Sequence, residues 1–218
     1  MSTDKPPASP AAARTTRQRV LAAAERLLES DRAGFSMRDL ASEAGVSFAT
    51  PFNQFGSKAA ILQALSDERI GRMQARLTAE GRPDDAPSAI LVAVAVATAV
   101  MLEKPTVNRA VMAGLGSPSG QPGVVWARSR ALWAEAMGEG QGLVPGTAAL
   151  AREALPGQLA LNFRGVLSFW AAGEISDLDL PRRAAAGAAA LLLGFVPESR
   201  RGSLERLLSA DGPPRAAS

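Results

Sequence analysis

The chain has 218 residues, of which 47% are hydrophobic, 21% charged and 5% aromatic. That length and apolar share allow one large domain or two small ones with a real core, and they exclude wholesale disorder. The sequence contains no Cys, His or Tyr, which excludes disulfides and thiolate metal sites and removes the commonest general base and metal ligand.

Net charge is only +3, yet the pI is about 10.1. Nothing titrates between the carboxylates and the lysines and arginines, so the high pI is weak evidence for nucleic acid and the position of each charge matters more. Cysteine-free composition fits a reducing cytoplasm. The opening MSTDKPPASPAAA has no apolar core of the kind a secretory signal needs.

Residues 1–13 have little to bury and read as a disordered arm. Thr15 and Gln18 form a capping-box pair, and Val20, Ala24, Leu27 and Leu28 recur at helical spacing to about Ser30. Gly34 breaks the run and Phe35 plugs the core. Ser36 then caps a short helix, with Asp39 as its reciprocal partner and Leu40, Ala41 and Ala44 on one face. Gly45 sits where a left-handed residue stops that helix. Val46 turns inward, and Ser47 caps a second short helix that opens with Phe48, Ala49 and Thr50. Two short helices joined by a Gly-containing turn are the layout of a helix-turn-helix, whose second helix enters the DNA major groove.

A longer helix starts at Lys58, buries Ile61, Leu62, Leu65, Met73 and Leu77, and stops at Gly81-Arg82-Pro83. It leads out of the head and so can transmit a tilt. From about Ser88 to Glu103 the Ala/Val alternation fits either a buried strand or a helix. Length, alanine content and the lack of strand partners favour a helix buried on all sides. The run is too short for the ~20 residues of a membrane span.

Pro105 opens a short helix, and Pro122 starts another, with Val125, Trp126, Ser129, Leu132, Trp133, Ala136 and Met137 on one face. Helical pattern resumes from Thr147, with a start or kink at Pro156-Gly157, and Gly173 ends it. Pro181 opens the next helix and Pro197 stops it. A short Arg-rich turn follows, with Leu204, Leu207 and Leu208, and the tail at 211–218 is loose.

Over Thr15 to Leu65 the chain resembles the TetR family of transcriptional regulators. The resemblance rests on the leading helix, the reader from Ser36 through Val46-Ser47, the segment Thr50-Pro51-Phe52-Asn53-Gln54-Phe55, and the Gly56-Ser57-Lys58 start of the fourth helix. Phe52 stands where the family commonly has Tyr, so a hydroxyl that could reach phosphate is missing. Pro51 stands where Leu is common, and its missing N–H confines it to a first helical turn. The rest of the chain matches as an all-α body of suitable length.

The expected architecture is therefore all-α. A three-helix helix-turn-helix head at 14–58 is followed by a ligand-binding and dimerisation body of about six helices at 59–210. The reader helix carries no Arg or Lys. Ser47 and Thr50 can bond phosphates or base edges, and Phe48 and Ala49 can pack on thymine methyls, with Phe52 beside them. Charge neutralisation falls to Arg14, Arg17, Arg38 and Lys58. A contact set this small calls for a homodimer reading two half-sites of a palindromic double-stranded DNA operator.

Met101, Met112, Trp126, Trp133 and Met137 can line a cavity for a small apolar or aromatic effector, or serve as plain core. The two apolar C-terminal helices are expected to bury Leu159, Phe163, Leu167, Trp170, Ala184, Gly187, Ala188 and Leu191 against a second copy; the same dimer is implied by the resemblance. The family mechanism is a ligand-driven population shift that releases the operator. No cofactor, metal site or membrane partner is expected, and the location is cytoplasmic. Two rivals remain: an all-α enzyme, which would have to rest on carboxylates, Lys or Ser, and an interaction module without DNA binding.

Overall fold

Thr15 and Gln18 do close a reciprocal capping box: the Thr15 N–H donates to Gln18 Oε1 at 2.9 Å and the Gln18 N–H to Thr15 Oγ1 at 3.2 Å. It starts α1 (Thr16–Ser30) in the computed structural model, which describes residues 15–30, 34–116 and 124–209. The expected N-terminal arm with Arg14, the Pro122 helix start and the C-terminal tail lie outside these residues. The described residues are helical throughout, with no strand, and the chain divides into two compact units, Met1–Lys58 and Ala59–Ser218.

In the first unit, α1 packs on α2 (Met37–Ala44), which is followed by α3 (Ala49–Phe55). Val20, Leu21, Ala24 and Leu28 from α1 and Leu40, Ala41 and Ala44 from α2 are buried, with Phe35 between them. Their i, i+3, i+4 spacing is the apolar stripe that makes each helix amphipathic. Two arginines on α1 add a polar tie. Arg19 donates to the Ala44 and Gly45 carbonyls at 2.9 and 2.8 Å, and Arg26 pairs with Glu43. Cations at these terminal carbonyls satisfy acceptors that the helix leaves open and complement its dipole.

The fourth helix, α4 (Lys58–Glu80), ends just before Gly81. The ambiguous Ala/Val segment is α5 (Ala86–Leu102), a helix packed against α7 (Val125–Met137) and α9 (Leu180–Leu192). Its burial is incomplete: Ala95 and Ala99 are exposed. Alanine reads as apolar on either side of a helix, so the pattern could not locate this open strip. Asp85 caps α5, accepting the Ser88 N–H at 3.0 Å, and Arg200 donates to the same carboxylate at 2.9 Å. Burial raises the Asp85 pKa, but the Ser88 bonds and Arg200 together outweigh it and hold the carboxyl below its ordinary value.

Next come α6 (Pro105–Gly114), a 3-10 turn at Pro145–Thr147, and α8 (Ala148–Ala172), which contacts α6, α7 and α9. The helix neither starts nor stops at Pro156. It runs through the residue, whose ring is buried, so packing offsets the missing N–H bond. Trp133 and Trp170 are fully buried, Trp133 lying edge-on to Phe163 at 5.4 Å between centroids. The expected C-terminal turn is a full helix, α10 (Glu198–Ser209), because Leu204 is buried and Leu207 and Leu208 pack against the core. Among the described residues the body thus holds seven helices, where the sequence led us to expect about six.

No single helix among the described residues is long and apolar enough to cross a membrane; α5 and α6 reach that composition only as a pair bent by 101°.

Candidate nucleic-acid interface and effector cavity

The head's recognition segment is held rigid from both ends of α2. The Asp39 N–H donates to Ser36 Oγ at 3.1 Å and the Ser36 N–H to Asp39 Oδ2 at 3.0 Å. The Ser36 hydroxyl and backbone bonds hold the Asp39 carboxyl below its usual pKa. At the other end Gly45 is left-handed at φ 62°. The Val46 N–H reaches back to Ala41 O at 3.0 Å and the Gly45 N–H to Ser42 O at 3.1 Å. This is a Schellman close, which an L side chain at Gly45 would strain.

Ser47 does not cap α3 through its side chain as expected. Its hydroxyl instead shares a 2.8 Å hydrogen bond with the Thr50 hydroxyl, and Phe48 enters α3 already in helical conformation with no side-chain cap. Pro51 is buried in the first turn, where its missing N–H is tolerated. Turning Pro51 inward leaves Phe48 57% and Phe52 42% exposed, one helical turn apart and edge-to-face at 5.5 Å. Phe48 at the N-cap and Phe52 within the seven-residue α3 form an apolar ridge that the described residues leave exposed. Ser47 and Ala49 are exposed beside it, and Thr50 is half-buried.

The expected cations stand on separate supports in the same unit. Arg17 of α1 stacks over Phe55 at 4.4 Å and Lys58 lies over Phe35 at 4.9 Å, so both are oriented by aromatic faces. Arg38 is exposed on α2. Arg14 lies outside the described residues.

The second unit contains a cavity of about 280 Å³ between α4, α5, α6, α7 and α8. Its walls are mostly apolar, with Met101, Met112, Trp126 and Phe163 among them, and two arginines enter it, Arg69 from α4 and Arg164 from α8. Arg69 is only 3% exposed. Its Nε donates to Asn108 Oδ1 at 2.9 Å and its Nη1 lies 3.9 Å from Glu68 Oε2. Asn108 in turn donates to Met101 O at 2.8 Å, so one buried amide joins α4, α5 and α6.

Residues 20–65, from α1 into α4, match the profile of bacterial regulatory proteins of the tetR family. The chain carries a tetR-family DNA-binding domain. The whole fold is similar to that of a TetR transcriptional regulator from Rhodococcus sp. RHA1, with TM-score 0.64 and 21% identity over 82% of this chain and 96% of that one. It is also similar to a putative tetR family transcription regulator from Shewanella sp. PV-4, with TM-score 0.54 and 22% identity over 85% and 100% of the two chains. A third similar structure, a protein of unknown function from Rhodococcus sp. RHA1, has TM-score 0.53 and 24% identity over 87% and 100%. No curated protein sequence matches the chain significantly.

In this TetR-like body the expected effector residues separate. Met101, Met112 and Trp126 line the cavity, whereas Trp133 and Met137 do not and are buried in the core. Of the expected dimer residues, Leu159, Phe163, Leu167, Trp170, Ala184 and Ala188 are already buried within the single chain. Phe163 and Leu167 line the cavity instead. Gly187 lies where α8 crosses α9, and a Cβ there would collide with the Asn162 amide. Leu191 stays half-buried.

The sequence reading missed Arg69 and Arg164. The available signal was a lone cation inside an otherwise apolar helical run, as in LNFRGVLSF, since such a residue is costly to bury without a task.

Proposed function

We propose that this chain is a homodimeric repressor that binds a palindromic operator and releases it when a small molecule enters the body cavity. The observation that carries the reading is the exposed Phe48–Phe52 pair at the start of α3, with Arg17, Arg38 and Lys58 in the same compact unit. Apolar side chains at the reading edge suit thymine methyls, while the flanking cations meet phosphates and fix register. Release is supported by continuity: α4 starts at Lys58, the last residue of the head unit, and supplies Arg69, Ile70 and Met73 to the cavity wall. A ligand that favours one position of α4 shifts the population toward a head spacing that misses successive major grooves, ~34–36 Å apart.

The dimer face that fits this reading is the outer stripe of α8. Leu161 and Phe169 are 55% and 54% exposed, and Gly165 between them has open space where a side chain would stand. Their i, i+4, i+8 spacing forms one apolar strip with a central gap that allows close helix approach.

The test is fluorescence anisotropy with labelled fragments of the DNA upstream of the gene, across a salt series. Each phosphate neutralised contributes about −0.9 to the slope of log K against log salt, so Arg14, Arg17, Arg38 and Lys58 on each of two heads set a slope of up to about −7. Sequence-selective binding with a steep slope is expected. Weak, sequence-blind binding would instead support an interaction module.

A further inference from the structure

We propose that the cavity selects an organic monocarboxylate with a compact apolar body, its carboxylate held by Arg164 with Arg69 behind it. The inference rests on the ligand-binding reading above and narrows it to one chemical class. Two guanidinium groups enter the cavity, and no Asp or Glu is among the described residues that line it. The sequence between Leu115 and Val124, which joins two lining helices, has no acidic residue either.

Arg164 is the informative group. It projects from the apolar run of α8 and is half-buried. Its one polar neighbour is the Met112 sulfur, 3.6 Å from Nη1, and no carboxylate pairs with it among the described residues. Burial lowers its pKa, with no compensating charge. A guanidinium held this way is poorly solvated and keeps most of its planar donor fork available, the geometry that matches a carboxylate. Arg69 has a different part. Asn108 fixes its Nε and Glu68 stands at the edge of its reach, so it contributes a fixed positive field. Ser66 and Ser129 add hydroxyl donors to the lining.

The rest of the lining suits the ligand's other end. Met101, Trp126 and Phe163 offer sulfur and ring surface with no charge, which suits a hydrocarbon or aryl body. At about 280 Å³ the space is near the lower end of the ~300–1,000 Å³ usual for ligand sites, which favours a compact acid over an extended one. An amine of the same shape would meet two like charges and no carboxylate among the described lining residues, and a neutral amide would leave the Arg164 guanidinium without a counter-ion.

The experiment is calorimetry and thermal shift on the full chain with matched sets: butyrate, octanoate and 1-naphthoate, each against its primary amide and primary amine. At least one acid is expected to bind with a Kd at least tenfold below that of its amide, and its amine to show no binding. Arg164→Met is expected to remove the acid-over-amide preference while leaving amide affinity within about twofold, and Arg164→Lys to restore part of it. Equal or tighter binding of the amide or amine overturns the proposal, as does failure of all three acids to bind, or an unchanged preference in Arg164→Met. Operator release is measured separately with the same compounds. Acid binding that leaves operator affinity unchanged overturns the release mechanism but not the anion site, whereas release by an amine or amide keeps the release mechanism and overturns the anion site.

Discussion

In the proposed DNA contact Arg38 and Phe48 do opposite physical work. Arg38 is exposed on α2 beside a carboxylate already committed to the Ser36 cap, so its charge is available to a phosphate. Phe48 is more than half exposed at the N-cap of a helix with no charge of its own. Arg38→Ala is expected to weaken binding about equally on all sequences and to flatten the salt slope of a dimer by about 2. Phe48→Ala is expected to compress the ratio between the best operator and single-base variants by about 1 kcal/mol or more. Anisotropy titrations against a panel of operator variants separate the two, and an equal loss on every sequence from Phe48→Ala would remove its readout role. At this scale the caps were legible because Ser-x-x-Asp and Thr-x-x-Gln carry their geometry in the spacing. The Ser47–Thr50 hydroxyl pair was not, since both hydroxyls had equally good backbone partners on paper.

Helix ends decide how the body elements are tied together, and one tie makes a pH-dependent prediction. Arg109 of α6 reaches the end of α8: it stacks over the Trp170 ring at 4.5 Å, donates to the Trp170 carbonyl, and pairs with Asp177 at 2.6 Å. Trp170 Nε1 donates to the same Asp177 oxygen at 2.8 Å. The bond from Arg109, then that from Trp170, hold the Asp177 carboxyl below its ordinary 3.8. A carboxyl with a depressed folded pKa stabilises fully above its unfolded value and loses that contribution as pH falls through the folded one. Asp177→Asn is therefore expected to cost about 1 kcal/mol at neutral pH, given a half-exposed pair screened by solvent. The gap from wild type should close as pH drops below 3.8. Thermal melts of both proteins from pH 7 down to about 3 check this, and a gap that stays constant or widens would dismiss the clasp. Periodicity located α6, α8 and α9, but it could not show that Arg109 crosses 68 residues of sequence to Asp177. Nor did it reveal that α10 is anchored by Arg200 on the Asp85 cap, because long-range polar ties leave no mark in a local pattern.

The proposed assembly is where the sequence pattern says least, and the reason is physical. The α8 run from Leu159 to Ala172 is apolar on most sides, and such a helix gives no phase by which to tell the chain's own core from a partner's. The most apolar positions, such as Leu159, Leu167 and Trp170, went to the chain's own interior. What remains for a second copy is the less obvious stripe of Leu161, Gly165 and Phe169. Isologous pairing would place each Phe169 against the same strip on the other chain, so one charge introduced there appears twice in the interface and cannot be paired. Phe169→Glu is therefore expected to give a monomer by light scattering while far-UV circular dichroism stays unchanged. Operator affinity should fall on the order of a hundredfold, because two half-sites are then bound as separate events. The single head should keep its sequence preference, since Ser47, Phe48 and Thr50 are untouched. A Phe169→Glu protein that remains dimeric with full operator affinity would move the interface off α8, and the exposed Ala190 and Gly194 beyond the middle of α9 would be the next surface to charge.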